Sequence, residues 1–223
     1  MVLMGLSLSS ACIPAEEPTP PESPPEIEVK LPEPRYDSGV SIEETLLKRR
    51  SVRDYTGEPL SLEEVSQLLW AAQGITDPRE YRTAPSAGAT YPLEIYLVVG
   101  DVENLTEGVY RYESAEHTLV KVLDGDWRAQ LADAALGQSW VREGAVNIVF
   151  TAIHERTTRR YGDRGIRYVH MEVGHAAQNV YLQAVALGLG TVVIGAFVDD
   201  QVAEILKLPQ NEQPLYIMPV GRR

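Results

Sequence analysis

Lys48-Arg49-Arg50-Ser51-Val52-Arg53, together with Pro219-Val220-Gly221-Arg222-Arg223 at the other end of the chain, decides how this sequence is read. The two arginine clusters lie about 170 positions apart in a 223-residue chain whose formal net charge is −12, so each is a local excess of positive charge in an acidic chain. A compact anion held from two sides, most simply a phosphate, accounts for that arrangement. Arginine presents a planar, permanently charged fork that matches phosphate oxygens, and Ser51 adds a hydroxyl donor. The alternative is two solvated basic ends of surface elements, the ordinary state of short basic runs.

Composition narrows the remaining classes. With 44% hydrophobic residues, the chain can bury the core of one large domain or two small ones. Lys plus Arg number 20 against 32 Asp plus Glu, so there is no basic stripe for a nucleic-acid backbone. The one cysteine, Cys12, builds neither a disulfide framework nor a cysteine-based metal site. Histidine gives no metal signature either. His154-Glu155 is followed by Thr158 where a second helical zinc ligand would stand, and His170 and His175 do not share a helix face. No apolar run approaches the ~20 residues of a membrane-spanning helix.

Residues 1–38 hold eight of the fifteen prolines and predict an extended, Pro/Glu-rich disordered linker. Ahead of it, the apolar stretch Met1 to Ala11 ends in Leu8-Ser9-Ser10-Ala11-Cys12, which resembles the recognition box of bacterial and archaeal lipoproteins. That resemblance implies a lipid anchor on Cys12 and a membrane-tethered protein outside the cytoplasm. The alternative is an unstructured tail with an incidental cysteine on a cytoplasmic protein.

Residues 39–223 predict one α+β domain. Capping boxes at Ser41-Ile42-Glu43-Glu44 and Ser61-Leu62-Glu63-Glu64 open two helices, the first delivering Arg49 and Arg50 at its C-terminal end. Strand formers from Leu93 to Val99 are followed by a hairpin pattern at Val109–Glu113 and Thr118–Leu123, then a helix from Trp127 and a strand from Val146 to Thr151. Val169, Val173, Ala177, Val180 and Ala184 mark one long helix from about Ile166 to Leu187. A buried strand at Thr191–Ile194, a short helix at Gln201–Leu206 and a last strand at Leu215–Pro219 complete the pattern. Because strands and helices do not alternate regularly, a doubly wound sheet is disfavoured. Gly188-Leu189-Gly190 lies between helix and strand, the reverse of a dinucleotide-binding turn, and Ser86 lacks the glycine pattern of a nucleophile elbow.

Four segments in order resemble the nitroreductase family of FMN-dependent oxidoreductases. They are Arg49 to Arg53, Pro85-Ser86-Ala87-Gly88 through Glu94, Gly190 to Phe197, and Pro219 to Arg222, with Gln178-Asn179 adding to them. Within the family the likeness is to the branch of azoline dehydrogenases, which form thiazoles and oxazoles in modified peptides. The resemblance implies a central mixed or antiparallel sheet flanked by helices, and an intertwined homodimer with FMN at the subunit interface. It further implies that Arg49, Ser51, Arg222 and Arg223 hold the phosphate and that Arg53 and Arg50 lie along the flavin pyrimidine edge. Val193, Gly195 and Ala196 would lay backbone against N5, Gln138 would offer its amide, and Pro85, Ser86, Ala87 and Gly88 would come from the partner subunit. Hydride would pass from a donor such as NAD(P)H to a small organic acceptor with no protein nucleophile. The chain lacks the glutamate that many members carry before the N5-contacting glycine, and Ala89 stands where several carry asparagine. The lysine-tyrosine pair of azoline dehydrogenation has no assigned counterpart.

Overall fold

The computed structural model describes residue 1 and residues 27–223. Cys12 and most of the proline-rich leader lie outside the described residues. The elements run β1 (Glu28–Lys30), α1 (Ile42–Lys48), α2 (Leu62–Gln73), β2 (Leu93–Val99), β3 (Gly108–Glu113), β4 (Thr118–Asp124), α3 (Arg128–Ala134), α4 (Ser139–Glu143), β5 (Val146–Ala152), α5 (Glu155–Tyr161), α6 (Arg164–Ala186), β6 (Leu189–Thr191), α7 (Asp199–Leu206) and β7 (Gln213–Arg222). A single 3₁₀ turn, Ala87–Ala89, stands between α2 and β2. The strands form one seven-stranded antiparallel sheet in the order β1-β4-β3-β2-β5-β7-β6, the α+β architecture that the sequence predicts.

Period-two alternation divides the core between the two faces of this sheet. Along β2, Leu93, Ile95, Leu97 and Val99 join Leu68 and Leu69 of α2 and Val169, Val173, Ala177 and Val180 of α6. Tyr96 and Val98 point the other way, to Leu131 of α3, Val141 of α4 and Val202 and Leu206 of α7. The small residues at three- and four-residue spacing in α6 let α2 come close against it. β5 is buried along its whole length because both faces are covered.

Both predicted caps are present in part or in full. Ser61 accepts from the Glu64 N–H at 3.2 Å while the Glu64 carboxylate accepts from the Ser61 N–H at 2.8 Å, a complete capping box. At α1 only the first half forms, since Glu44 turns instead to Lys48 at 2.5 Å.

The domain begins earlier than residue 39. Glu28–Lys30 pairs with β4, and Leu31 is 2% exposed. Gln67 then clamps the Arg35 backbone from both sides, accepting from its N–H at 2.8 Å and donating to its carbonyl at 3.0 Å. The prolines that suggested a linker are compatible with a sheet edge, because Pro32 needs no donor there and its carbonyl receives Ser66 Oγ at 2.5 Å. The strand expected at Thr191–Ile194 is shifted to Leu189–Thr191. The Val193 N–H leaves the sheet ladder for the Tyr181 hydroxyl, and only Ile194 returns to β7, bridging Ile217.

Candidate functional site

The chain leaves α1 at Arg49, whose N–H still donates to the Thr45 carbonyl, and then runs extended across the ends of β6 and β7. Val52 N–H donates to the Thr191 carbonyl at 2.9 Å and Thr56 N–H to the Arg222 carbonyl at 3.0 Å. Gly190 and Gly221 allow this crossing. A Cβ at Gly190 would stand 2.6 Å from Val52, and one at Gly221 would stand 2.8 Å from the Tyr55 ring.

Tyr181 of α6 gathers the predicted residues. Its hydroxyl accepts from the Val193 N–H at 2.8 Å and lies 3.2 Å from Ser51 Oγ, while the Arg49 guanidinium sits over its ring at 5.1 Å. Among the described residues neither Arg49 nor Arg53 has a carboxylate partner. Arg53 lies 5.4 Å over the Trp140 ring. Next to it, Gln138 Nε2 donates to the Ala135 carbonyl at 2.9 Å and the Ala196 carbonyl at 3.1 Å. Gln138 therefore fixes the Gly195–Ala196 backbone, which is exposed and whose N–H groups have no partner among the described residues.

Two of the expected phosphate or pyrimidine ligands are used elsewhere. Arg222 makes a two-pronged pair with Glu64, with both N–O distances 3.0 Å, and its Nε donates to the Pro59 carbonyl at 3.0 Å. Its fork is occupied by the carboxylate that caps α2. Arg50 folds back, donating Nη1 to the Leu47 and Arg49 carbonyls at 3.0 and 2.6 Å, where it satisfies the free end of α1. Arg223 is exposed at the chain end.

The Pro85–Gly88 loop lies further along α6, where it meets Glu172. Glu172 precedes Tyr181 by nine residues, about 14 Å of helix. Ser86 Oγ accepts from the Tyr91 N–H at 2.9 Å, and the Gly88 carbonyl accepts from Arg160 Nη1 at 3.1 Å. Gly88 has φ +63°, and a Cβ there would stand 2.5 Å from the Tyr161 hydroxyl. Within one chain, then, the arginine group and this loop are two separate half-sites.

An unpaired guanidinium, a serine hydroxyl and exposed backbone N–H groups form a donor set suited to a phosphate and to an electron-rich ring edge. FMN fits that set, with Arg49 and Ser51 the groups that would hold its phosphate, while Arg222 is engaged by Glu64 in this structure. Sequence reasoning missed Tyr181 because it stands beside the small-residue stripe of α6 and belongs to no motif. Among the described residues there is no group of side chains that could hold a metal, and no helix is long and apolar enough to cross a membrane.

The nitroreductase family model matches residues 46–222, from the last turn of α1 through β7. The chain belongs to the nitroreductase family of oxidoreductases. It is 53% identical over 197 residues to a Methanocaldococcus jannaschii protein designated a nitroreductase, covering 88% of this chain and 97% of that one. It is 32% identical to the microcin B17-processing protein of Escherichia coli over 73% of this chain and 62% of the relative. A nitroreductase-like structure from Ralstonia eutropha superposes with a TM-score of 0.77 at 31% identity, covering 87% of this chain and 89% of that one. FMN reductases of Bacillus subtilis and an NADPH-flavin oxidoreductase of Vibrio harveyi align at lower identity.

Proposed function

We propose that the chain is an FMN-dependent oxidoreductase that works as a homodimer, moving hydride from a nicotinamide donor to a small organic acceptor. One observation carries the reading: in a protein of net charge −12, Arg49 and Ser51 converge on Tyr181 and Arg49 has no carboxylate partner among the described residues. The flavin-reducing relatives favour the same cofactor. FMN, when bound, supplies hydride acceptance and donation at its N5 atom. The protein's own residues hold and tune it. Arg49 and Ser51 would hold the phosphate through charge-assisted bonds, Arg53 would place a positive charge beside the ring system, and the Gly195 and Ala196 N–H groups would be donors for its electron-rich edge.

The dimer joins the two half-sites. Ile42, Leu46 and Leu47 on α1 and Ile166 and Met171 on α6 are exposed apolar side chains, and a second copy covering them would bring its Pro85–Gly88 loop to the arginine group. A lipid on Cys12 would tether this dimer to a membrane; labelling with a radioactive fatty acid, lost in Cys12→Ser, is the expected result.

The test of function is an absorbance spectrum of the purified protein. A yellow protein that NAD(P)H bleaches and a quinone recolours is the expected result, with FMN released on heating. Yellow protein inert to every donor supports a flavin-binding module without turnover, and colourless protein that takes up no FMN overturns the reading. The likeness to the microcin-processing protein favours a second substrate class, azoline rings in modified peptides. Oxidation of an azoline peptide with no turnover of quinones would select it.

A further inference from the structure

The Pro85 loop and α6 enclose a cavity of about 290 Å³ lined by Pro85, Ser86, Tyr168, Met171, Glu172 and His175. Glu172 is the unusual member. It is 3% exposed, yet its Oε1 has no hydrogen-bond partner among the described residues. Ser86, on the loop, and Arg82, in the segment after α2, both favour its ionised form. A buried carboxyl oxygen without a partner is costly, and the fold keeps it at the wall of a cavity. Glu172 belongs to none of the motifs that define the cofactor reading, and no step described so far uses it.

We propose that this cavity takes the organic acceptor and that Glu172 delivers the proton that must accompany hydride. The inference rests on the flavin-dependent reading. A quinone takes a hydride at one oxygen and a proton at the other, so the hydride comes from the nicotinamide donor through the bound cofactor and the proton from Glu172. The products are the hydroquinone and the oxidised nicotinamide, and solvent returns a proton to the Glu172 carboxylate through the cavity mouth beside exposed His175. Burial pushes the Glu172 carboxyl up to about 7, against the smaller opposing effects of Ser86 and Arg82. At neutral pH, then, a large share of the acid form is available, whereas an ordinary glutamate would be ionised. The groups that face it are Ser86 from the loop, Arg82 from the segment after α2, and Tyr168 and His175 from its own helix. Since the acid form does the work, quinone reduction falls as pH rises through about 7.

Glu172→Gln removes the proton and keeps the shape. With the flavin-loaded protein, we expect quinone reduction near neutral pH to fall roughly 10²-fold, while flavin content and reduction of ferricyanide, which takes electrons alone, are unchanged. The inflection near pH 7 should vanish in Glu172→Gln, persist in His175→Gln and return with a reduced rate in Glu172→Asp. A readout independent of turnover is the infrared difference between wild type and Glu172→Gln, where a protonated-carboxyl band should be present below neutrality and gone above it. Equal quinone rates in wild type and Glu172→Gln overturn the proposal. Equal slowing of quinone and ferricyanide also overturns it, because that marks mere support of the loop, and so does a carboxyl ionised throughout. If Glu172→Gln loses flavin, Glu172→Asp and the wild-type infrared titration decide. A wild-type protein without flavin overturns the cofactor reading and this inference with it, a failure the absorbance spectrum tells apart from a quinone-specific one.

Discussion

Arg49 and Arg222 are the same residue type at the two ends of the domain, and they meet opposite fates. Arg49 leans on an aromatic ring with no carboxylate partner among the described residues, whereas Arg222 is held by both oxygens of Glu64. The difference lies in the neighbour. Glu64 occupies the third position of α2, where a carboxylate is favoured both by the capping box and by the helix dipole, and the last strand brings Arg222 against it. A free arginine can bind a ligand, and a paired one locks the C-terminal strand to the second helix.

Four variants test that contrast. The largest effect should come from Arg49→Ala combined with Ser51→Ala, which removes two donors at about 1.5 to 3 kcal/mol for a charged bond and about 1 for a neutral one. FMN affinity should drop at least roughly 10²-fold in fluorescence titration with little change in folding. Arg222→Ala should do the reverse, losing about 2 kcal/mol of stability in urea unfolding while FMN affinity holds. That figure lies below the cost of breaking a fully buried pair because the Arg222 side chain is 32% exposed. If instead Arg222→Ala loses flavin and keeps its stability, the division drawn here is wrong. Tyr181→Phe leaves the Val193 N–H without its acceptor and should cost about 1 to 2 kcal/mol, together with a weaker cofactor site. Ser61→Ala should cost about 1 kcal/mol through the lost cap, and Glu64 would still hold Arg222, so flavin binding is again unaffected.

Much of the fold was legible because local signals agree with tertiary demands. The Ser61 box, the β3–β4 hairpin and the small-residue stripe of α6 each follow from spacing, and each stands where spacing puts it. Misreadings arose where a distant group claimed a local one. Tyr181 takes the Val193 N–H and moves a strand boundary, and Gln67 draws a proline-rich segment into the domain. At the site, residue type pointed to Arg49, Ser51 and Arg53. The structure pairs Arg222 with Glu64 and folds Arg50 onto the end of α1, a difference from Arg49 that spacing does not show, since a charge in a sequence does not name its partner. Glu172 was invisible for a related reason: only packing shows that a glutamate in a helix faces inward.

The strand order has a mechanical consequence. β1 forms one edge of the sheet and β6 the other, six strand spacings or about 29 Å away. Tension applied to the chain before Ile27 enters at β1, which is held by only three register pairs, Glu28–Val120, Val29–Leu119 and Lys30–Thr118. Such a short strand peels first and acts as a fuse, leaving the β5–β7–β6 edge and the residues of the candidate site unstrained.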